Sequence, residues 1–434
     1  MKNFSNATAA AAAADAQIWA RAADVAARDP HALFSDFQWF LFKAKDTVFF
    51  TAFADAPYTR ERLLEVVAHM VGLAPQLTFG FVGSRPGQPI PKAMLNEIVS
   101  LTEVESFDGF PDRWMSNSQD LFERDDLPLF RVMVANRRDG RDADGRAAIV
   151  MVRGSHAVLE GSDSALLTRS LSAAHGMLAD KSNAIAARAR ISGAIKGVFQ
   201  AALYLLFGYL LAAPEKPFAF KSLAIRRTRL RAAANRLGIG QRSLLFALVM
   251  FAVNGQGPSK RISKKAITTA YTLLTDARTD VEDEFMRLHA KLTKFKVSDD
   301  FVTFARAVHD ELMTCDARDN SKMQAAMRAT FAAIRGLNRL IPAIPSKRFW
   351  RFNGGVHLGL TLIPPHRTYG ELTTNVIEPI YCGAWHPNTN ACTYVPARDY
   401  VTLTFSMETG HIAQVDKVME LLDLVEALPA PAKA

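Results

Sequence analysis

Short apolar runs alternate with polar turns along the chain and predict a mixture of strands and helices. Two aromatic-rich runs, at residues 37–42 and 47–53, are separated by charged residues as neighbouring strands would be. Two further strands are predicted at 129–135 and 147–153. The segment between those two is rich in Asp, Gly and Arg, which indicates a solvated hairpin loop.

Helices are predicted where apolar residues return every three or four positions. The first begins after Thr59, whose hydroxyl can cap it, and its apolar positions are Leu63, Leu64, Val67 and Val71. Further helices are predicted at 224–236, 243–253, 281–295, 304–337 and 415–428. Strand-like runs occupy 354–362, 376–381, 393–395 and 400–405. The predicted fold class is therefore α/β, with a mixed layer in each half of the chain.

The most apolar window lies at residues 195–213. A membrane-spanning helix needs about 20 mostly apolar residues, so this window is at the lower limit. Gly208 lies inside it, and Pro214 and Pro217 follow at once. We therefore predict a helix that packs against the protein, or dips one face into a membrane surface, near a crossover between two halves of the chain. A transmembrane span is the less favoured alternative.

Length and composition are those of an ordinary globular protein. The 434 residues correspond to two or three domains of about 150 residues, or to one large bilobal unit. With 49% hydrophobic and 22% charged residues, the chain is neither collagen-like nor largely disordered. The 52 Lys and Arg residues exceed the 43 Asp and Glu residues, and the net charge of +9 suits an anionic partner. Such a partner can be a phosphate-bearing cofactor, an acidic carrier protein or a membrane surface.

Cysteine usage and the N-terminal residues indicate the compartment. Cys315, Cys382 and Cys392 are too few for a disulfide framework and form no CxxC pair, so a reducing compartment is expected. Residues 1–17 carry one lysine and an alanine run, without the leucine-rich stretch of a secretory signal. We expect a cytoplasmic location, with peripheral contact at the inner face of the membrane as an open alternative.

The sharpest local pattern is SHAVLEG at residues 155–161. His156 comes directly after an apolar strand, a carboxylate follows four residues later, and a glycine comes next. Acyl transfer to a hydroxyl needs a base that works near neutral pH, which imidazole supplies unaided. A histidine just past a strand can point into a cleft while the strand holds its backbone. His156 is therefore a candidate general base, with a structural role as the alternative.

The same segment resembles the HxxxDG motif of the coenzyme A-dependent acyltransferase superfamily. That group includes chloramphenicol acetyltransferases and the condensation domains of nonribosomal peptide synthetases. The pattern is most similar to the HHxxxDG motif of the wax ester synthase/diacylglycerol acyltransferase family. Three flanking segments agree in order: residues 35–41 resemble that family's opening SPLDAMFL, 127–132 its PLWRV strand and 375–379 its NVPGP stretch. The resemblance covers most of the chain.

The resemblance implies a fold and a division of the chain. Two similar mixed-sheet lobes of the chloramphenicol acetyltransferase-like fold would form a V, with the active site in a tunnel between them. Residues 1–30 would be an alanine-rich N-terminal segment and 31–185 the first lobe, which carries the motif. Residues 186–225 would be an apolar helix and crossover, and 226–434 the second lobe.

The resemblance also implies roles for single residues of the motif. The family's catalytic histidine corresponds to His156, which would take the proton from the acceptor as it attacks an acyl thioester. Ser155 replaces the first histidine of the family's pair, and Gly161 keeps the family's glycine. Glu160 replaces the structural aspartate and is one methylene longer, so its bridge to an arginine would be shifted or absent.

Candidate oxyanion donors lie in the second half. The family's ND pair corresponds to Arg242 and Ser243, at the start of an apolar helix. Either side chain can donate to a tetrahedral oxyanion, but neither copies the family's geometry, and loss of one such donor typically costs about 10²–10³ in rate. Asn375, which opens the NVPGP-like stretch, is a further active-site candidate.

A basic stretch holds the candidate phosphate-binding residues Arg226, Arg227, Arg229 and Arg231. They suit the phosphates of coenzyme A or of a carrier's phosphopantetheine, with a solvated helix face as the alternative. His156 and Glu160 are spaced like a metal-binding pair, but no third ligand supports them, so neither a metal nor a tightly bound cofactor is expected. No recognisable nucleic-acid-binding module surrounds the basic stretch, so no nucleic-acid partner is expected.

Three hypotheses for function follow. The favoured one is transfer of an acyl group from a coenzyme A or carrier-protein thioester to an alcohol or amine, with ester formation favoured. The second is a condensation-type ester or amide former of secondary metabolism, which takes its donor from an acyl carrier protein. The third is a non-catalytic relative that binds lipid or a partner, suggested by the departures at Glu160, Arg242 and Ser243.

Overall fold

The computed structural model describes residues 36–73, 75–82, 85–89, 94–116, 121–122, 127–159, 217–254, 266–274, 288–298, 300–316, 329–336, 357–363, 376–385 and 389–429. They divide between two compact units. The first unit comprises the described residues up to 159 together with 376–380, and the second comprises the remainder. The predicted segments 1–30 and 195–213, and most of the predicted crossover 186–225, lie outside the described residues.

The described helices and strands before residue 160 are, in chain order, α1 (Asp36–Ala44), β1 (Thr47–Ala54), α2 (Arg60–Leu73), β2 (Phe79–Val82), β3 (Arg85–Pro89), α3 (Leu95–Ile98), β4 (Val99–Val104), α4 (Phe110–Ser116), β5 (Phe130–Arg137) and β6 (Ala148–Ser155). The predicted cap of α2 is confirmed, because the amide of Arg62 donates to Thr59 Oγ1 at 3.2 Å. The predicted strands at 129–135 and 147–153, and the hairpin loop between them, are also confirmed.

The first described residues form a helix, so the prediction of a strand at 37–42 is wrong. The run from Trp39 to Phe42 is continuously apolar and carries neither a strand nor a helix period, so the apolar pattern does not decide between the two. Lys43 lies in the last turn of α1, where its positive charge suits the helix dipole. Lys45 then adopts a φ of 58°, and the amides of Lys45 and Asp46 donate to Phe42 and Leu41. This is a Schellman ending, and it leads the chain directly into β1.

The sheet of the first unit has five strands in the order β11 (Val376–Trp385), β1, β6, β5, β4. β6 pairs antiparallel with β1 on one side and β5 on the other, and β4 runs parallel to β5. Every residue of β1 and β6 is buried, as expected for the middle strands of a covered sheet. β6 is therefore the central strand, and His156 follows its last residue.

The described elements after residue 216 are β7 (Phe218–Arg226), α5 (Arg227–Leu237), α6 (Gln241–Asn254), β8 (Ala266–Leu274), β9 (Leu288–Lys296), α7 (Phe301–Asp316), β10 (Leu358–Leu362), β11, β12 (Asn390–Pro396), β13 (Tyr400–Glu408) and α8 (Lys417–Ala427). Residues 329–336 are also helical, and a 3₁₀ turn at Thr409–Asp416 precedes α8. The strands predicted near the C-terminus and the closing helix are thus confirmed.

The sheet of the second unit has six strands in the order β7, β13, β12, β10, β8, β9. β10 runs parallel to both of its neighbours, and the other pairs are antiparallel. Helices α5, α6, α7 and α8 share one core with these strands. Its buried side chains include Phe246 of α6, Phe304 of α7 and Phe405 of β13. Both units therefore hold a mixed sheet, and the predicted α/β class with two mixed sheets is confirmed.

Two predicted helices need correction. The basic helix predicted at 224–236 begins only at Arg227, because residues 224–226 complete β7; it ends, as predicted, before Gly238, which has a φ of 70°. The helix predicted at 281–295 is wrong where the structure describes it, because Leu288–Lys296 form β9. Along that strand Thr293 and Phe295 are buried while Lys294 and Lys296 are exposed, which is the alternation of a strand.

Among the described helices, none is by itself long and apolar enough to cross a membrane. Only α5 and α6 taken together reach the required length and composition, and a bend of 90° separates them. All but four residues of α6 are buried in the core of the second unit.

Candidate active site

His156 begins a tight turn at the end of β6. Its amide donates to the carbonyl of Asp46 at 2.8 Å, one position beyond the last paired residues of β1 and β6. The amide of Ser155 donates to the carbonyl of Leu129 at 2.8 Å, on the other side of the strand. The chain segment that carries the imidazole is therefore hydrogen-bonded to the residues that flank both neighbouring strands.

Ser155 shapes the turn that follows it. Its carbonyl accepts the amides of Val158 and Leu159 at 2.9 and 3.0 Å, and its hydroxyl accepts the amide of Ala157 at 3.3 Å. Ser155, Ala157, Val158 and Leu159 are all fully buried, and His156 is 9% exposed. His156 is therefore largely shielded from bulk water.

Gly154 allows the turn to fold back on β6. A Cβ at this position would lie 2.3 Å from Leu159 Cδ1 and 3.1 Å from the carbonyl oxygen of Leu129. Leu159 packs where that side chain would be. Sequence reasoning missed Gly154, because the need for glycine comes from this close approach and not from a turn signal.

A buried cation lies next to the turn on the same strand. Arg153 is 4% exposed, its guanidinium stacks over the ring of Trp114 at 4.6 Å, and its Nη1 donates to the Trp114 carbonyl at 3.1 Å. Cation–π stacking and the hydrogen bond hold this charge in place. Arg153 was not among the residues singled out from the sequence.

Three of the predicted site residues lie outside the described residues: Glu160, Gly161 and Asn375. Their roles therefore stay predictions. His156 and Ser155 are described in the first unit, and Arg242 and Ser243 in the second.

Ser243 lies in the first turn of α6 and is buried. Its hydroxyl oxygen is 3.0 Å from Nδ1 of His309, which α7 contributes. The tautomer of His309 decides which of the two groups donates. His309 was missed from the sequence, because 66 residues separate it from Ser243 and no local pattern links them. Arg242 is half-buried at the start of the same helix.

The four arginines of the predicted phosphate site separate into two groups. The hydrogen bond between Nε of Arg229 and Oε1 of Glu426, at 2.7 Å, joins α5 to α8, and Asp423 completes the contact. These partners raise the pKa of the Arg229 guanidinium, the Glu426 hydrogen bond most, with desolvation acting against them. Arg226, Arg227 and Arg231 instead line a recess together with Arg398, which the sequence did not single out.

Within the part of the chain that the structure describes, no group of three or more His, Cys, Asp and Glu side chains is placed to hold a metal ion. The His156 turn itself offers an imidazole that is 9% exposed, on a backbone fixed by its neighbours.

Comparison with known proteins identifies the fold. No family model and no curated protein matches the sequence. Solved structures do match, over nearly the whole chain. The wax ester synthase/diacylglycerol acyltransferase from Marinobacter aquaeolei VT8 has a TM-score of 0.51 and 10% identity, over 88% of this chain and 94% of that one.

Two further structures agree with this result. The trichothecene 15-O-acetyltransferase from Fusarium sporotrichioides has a TM-score of 0.56 and 11% identity, over 90% of this chain and 94% of that one. The first condensation domain of the CDA synthetase has a TM-score of 0.55 and 13% identity, over 96% of both chains. The mixed-sheet fold implied by the motif resemblance is thus confirmed: this chain shares the fold of these acyltransferases and of the condensation domain, with a mixed sheet in each unit.

Proposed function

We propose that the protein transfers an acyl group from a coenzyme A or carrier-protein thioester to an alcohol or amine, with His156 as the general base. The observation that carries this proposal is the position of His156, directly after the central strand of its sheet and fixed through its amide to Asp46. A base must be held within hydrogen-bond reach of the proton that it removes, and such a backbone supplies the rigid support.

The proposed step conserves all atoms. A nitrogen of the His156 imidazole takes the proton of the acceptor hydroxyl as its oxygen attacks the thioester carbon. The tetrahedral intermediate then collapses, the carbon–sulfur bond breaks, and the imidazolium returns the proton to the thiolate. The products are an ester and a free thiol, and an amine acceptor gives an amide in the same way. Restricted solvent access favours the acceptor over water as the nucleophile.

Ester formation is supported by the activities of two proteins that share the fold. One is a wax ester synthase/diacylglycerol acyltransferase and the other is an O-acetyltransferase. The pattern at residues 155–161, with its histidine just past the strand, supports the same reaction class.

Release of free thiol tests the proposal. Purified protein is incubated with short and long acyl-coenzyme A donors, each with and without a panel of alcohols and amines. Wild-type protein is expected to release thiol in an acceptor-dependent way. His156→Ala is expected to lose about 10²–10⁴ of the turnover, since a positioned base contributes about that much.

His357→Ala is the matched control, because His357 is a half-buried histidine of the other unit. Its turnover is expected to stay within about twofold of wild type, because His357 is not the proposed base. Circular dichroism checks that both variants fold. A folded His156→Ala variant with near wild-type turnover would refute the assignment of the base, and a wild type inactive with every thioester would refute the proposed function.

A second candidate is a condensation-type ester or amide former that takes its acyl group from a carrier protein. It is favoured by the match to a condensation domain over 96% of both chains. The donor distinguishes the two candidates. An acyl group on phosphopantetheine of a carrier protein should be used well while the same acyl-coenzyme A is used poorly, and the reverse preference would exclude this candidate.

A further inference from the structure

A recess in the second unit lies where β7 ends and α5 begins. It has a volume of about 170 Å³ and is lined by Arg226, Arg227, Thr228, Arg231, Arg398 and Asp399. The antiparallel pairing of β7 with β13 sets Arg226 opposite Tyr400, so the segment just before β13 meets the first turn of α5. Four guanidinium groups and one carboxylate therefore surround a space smaller than a typical small-molecule pocket, which suits one anionic group of a larger ligand.

The backbone around the recess is fixed. The amide of Arg227 donates to the carbonyl of Asp399 at 2.8 Å, and its Nη1 donates to the carbonyl of Ala397 at 2.9 Å. The guanidinium of Arg226 lies over the ring of Tyr400 at 5.7 Å. The amide of Ala397 in turn donates to the carbonyl of Tyr400 at 2.8 Å. The arginines on the two sides of the recess are therefore held close to one another by main-chain contacts.

The basic residues of α5 do not all have the same environment. Arg229 pairs with Asp423 and Glu426, and Arg236 donates to main-chain carbonyls near the end of α8. Among the described residues, Arg226, Arg227 and Arg231 make no ion pair like that of Arg229, and the lining of the recess contains one carboxylate, that of Asp399. Four guanidinium groups around one carboxylate leave an excess of positive charge, and a bound anion would reduce the repulsion between them.

The start of α5 adds to the positive potential. The helix has eleven residues, no acidic residue in its first turn and no side-chain cap at Arg226. The unpaired amides of a first helical turn and the helix dipole both favour a negative charge at this position. Arg227 and Arg231 are four residues apart and so lie on one side of the helix, next to that turn. Forked guanidinium groups match the oxygens of a phosphate.

We propose that this recess binds the phosphate groups of a phosphate-bearing ligand, through Arg226, Arg227, Arg231 and Arg398. The inference goes beyond the proposed function, because it rests on the recess alone and holds for any source of the phosphate. If the donor is coenzyme A, its phosphates are the natural occupant. If it is not, the recess belongs to another ligand with the same chemistry.

Calorimetric titration of the full chain with inorganic pyrophosphate tests the site. Wild type is expected to bind with an affinity that falls as sodium chloride rises from about 0.05 M to about 0.5 M, since three of the four arginines are exposed and salt screens their charges. Arg231→Gln is expected to weaken binding about tenfold, through the loss of one forked contact. Arg231→Lys keeps the positive charge but loses the forked guanidinium. Its affinity for pyrophosphate should therefore lie between those of wild type and Arg231→Gln.

Arg306→Gln is the matched control, because it removes an exposed arginine from α7 in the same unit. It should leave the affinity within about twofold of wild type. Arg231 is also exposed, so its replacement leaves the core intact. Equal affinity in wild type, Arg231→Gln and Arg306→Gln, or no binding of pyrophosphate by wild type, would overturn the proposal.

Further arms identify the source of the phosphate. Coenzyme A that competes with pyrophosphate, while phosphate-free pantetheine does not, supports the acyl donor as occupant. If pyrophosphate binds and coenzyme A does not compete with it, the phosphate site is supported and coenzyme A is excluded as its occupant. His156→Ala should bind pyrophosphate as wild type does, so failure of the acyl-transfer proposal and failure of this one give different results.

Discussion

At the scale of single residues, the position of His156 depends on the absence of a side chain at Gly154. Leu159 is fully buried against this glycine, and the Leu129 carbonyl on the other side is held by the amide of Ser155. We expect Gly154→Ala to destabilise the protein by about 1–3 kcal/mol, as overpacking of a filled core does. Turnover should fall as well, because the displaced Leu159 belongs to the turn that carries His156. Denaturant unfolding and thiol release measure the two effects.

Gly336→Ala is the control for this prediction. A Cβ at Gly336 would meet nothing within 4 Å, and its backbone needs no left-handed conformation. Its unfolding free energy should stay within about 0.5 kcal/mol of wild type. A Gly154→Ala variant as stable and active as wild type would contradict the close packing of Leu159 against β6.

Residue chemistry was only partly predictable from the sequence. His156 could be singled out because its neighbours form a local pattern of strand, histidine, carboxylate and glycine. Gly154, Arg153 and His309 could not, since each matters through a contact that spacing does not show: Leu159 and Leu129 for Gly154, Trp114 for Arg153 and Ser243 for His309. A sequence shows spacing along the chain, whereas these roles arise when separate segments meet in space.

At the scale of elements, the Ser243–His309 hydrogen bond joins α6 to α7. This contact favours a packing role for the Ser243 hydroxyl over donation to an oxyanion. We expect Ser243→Ala and His309→Phe each to destabilise the protein by about 1 kcal/mol, and the double variant to lose less than the sum. Chemical denaturation of the four proteins of this double-mutant cycle gives the coupling energy.

The same cycle separates the two roles of Ser243. A packing role predicts that turnover of Ser243→Ala follows its stability and returns under conditions that keep it folded. Loss of an oxyanion donor would instead lower turnover by about 10²–10³ in a fully folded variant. That second outcome, together with a coupling energy near zero, would contradict the packing role.

The helices and strands themselves were predictable where one apolar period dominates. β5, β6, β12 and β13 follow clear apolar runs between turn signals, and α2 begins at its predicted cap. β9 was missed because the spacing of its lysines and leucines fits both the helical period and the alternation of a strand. It lies at the edge of its sheet, where exposed lysines prevent pairing with another strand. Only the position of β9 in the sheet explains those lysines.

At the scale of the whole molecule, the fold was predictable because several weak matches appear in one order along the chain. Strand order was not, since it depends on contacts between distant segments. β10 pairs with β8 and β12 in parallel register, and Leu358 lies opposite Thr269 and Asn390. No local pattern specifies such partners, because these strands are distant along the chain. The free energy of their pairing is gained only after the long loop between them has closed.

The central place of β6 has a consequence for hydrogen exchange. Both edges of the strand are paired and all eight of its residues are buried, whereas β4 lies at the edge of the sheet with three of its six residues exposed. Amides of β6 should therefore take up deuterium only when the first unit unfolds as a whole, and those of β4 through smaller openings. Mass spectrometry of peptic fragments measures both rates, and equal rates would contradict this view. His156 is thus attached to the segment that opens last, so partial fluctuations at the sheet edge should leave the base in position.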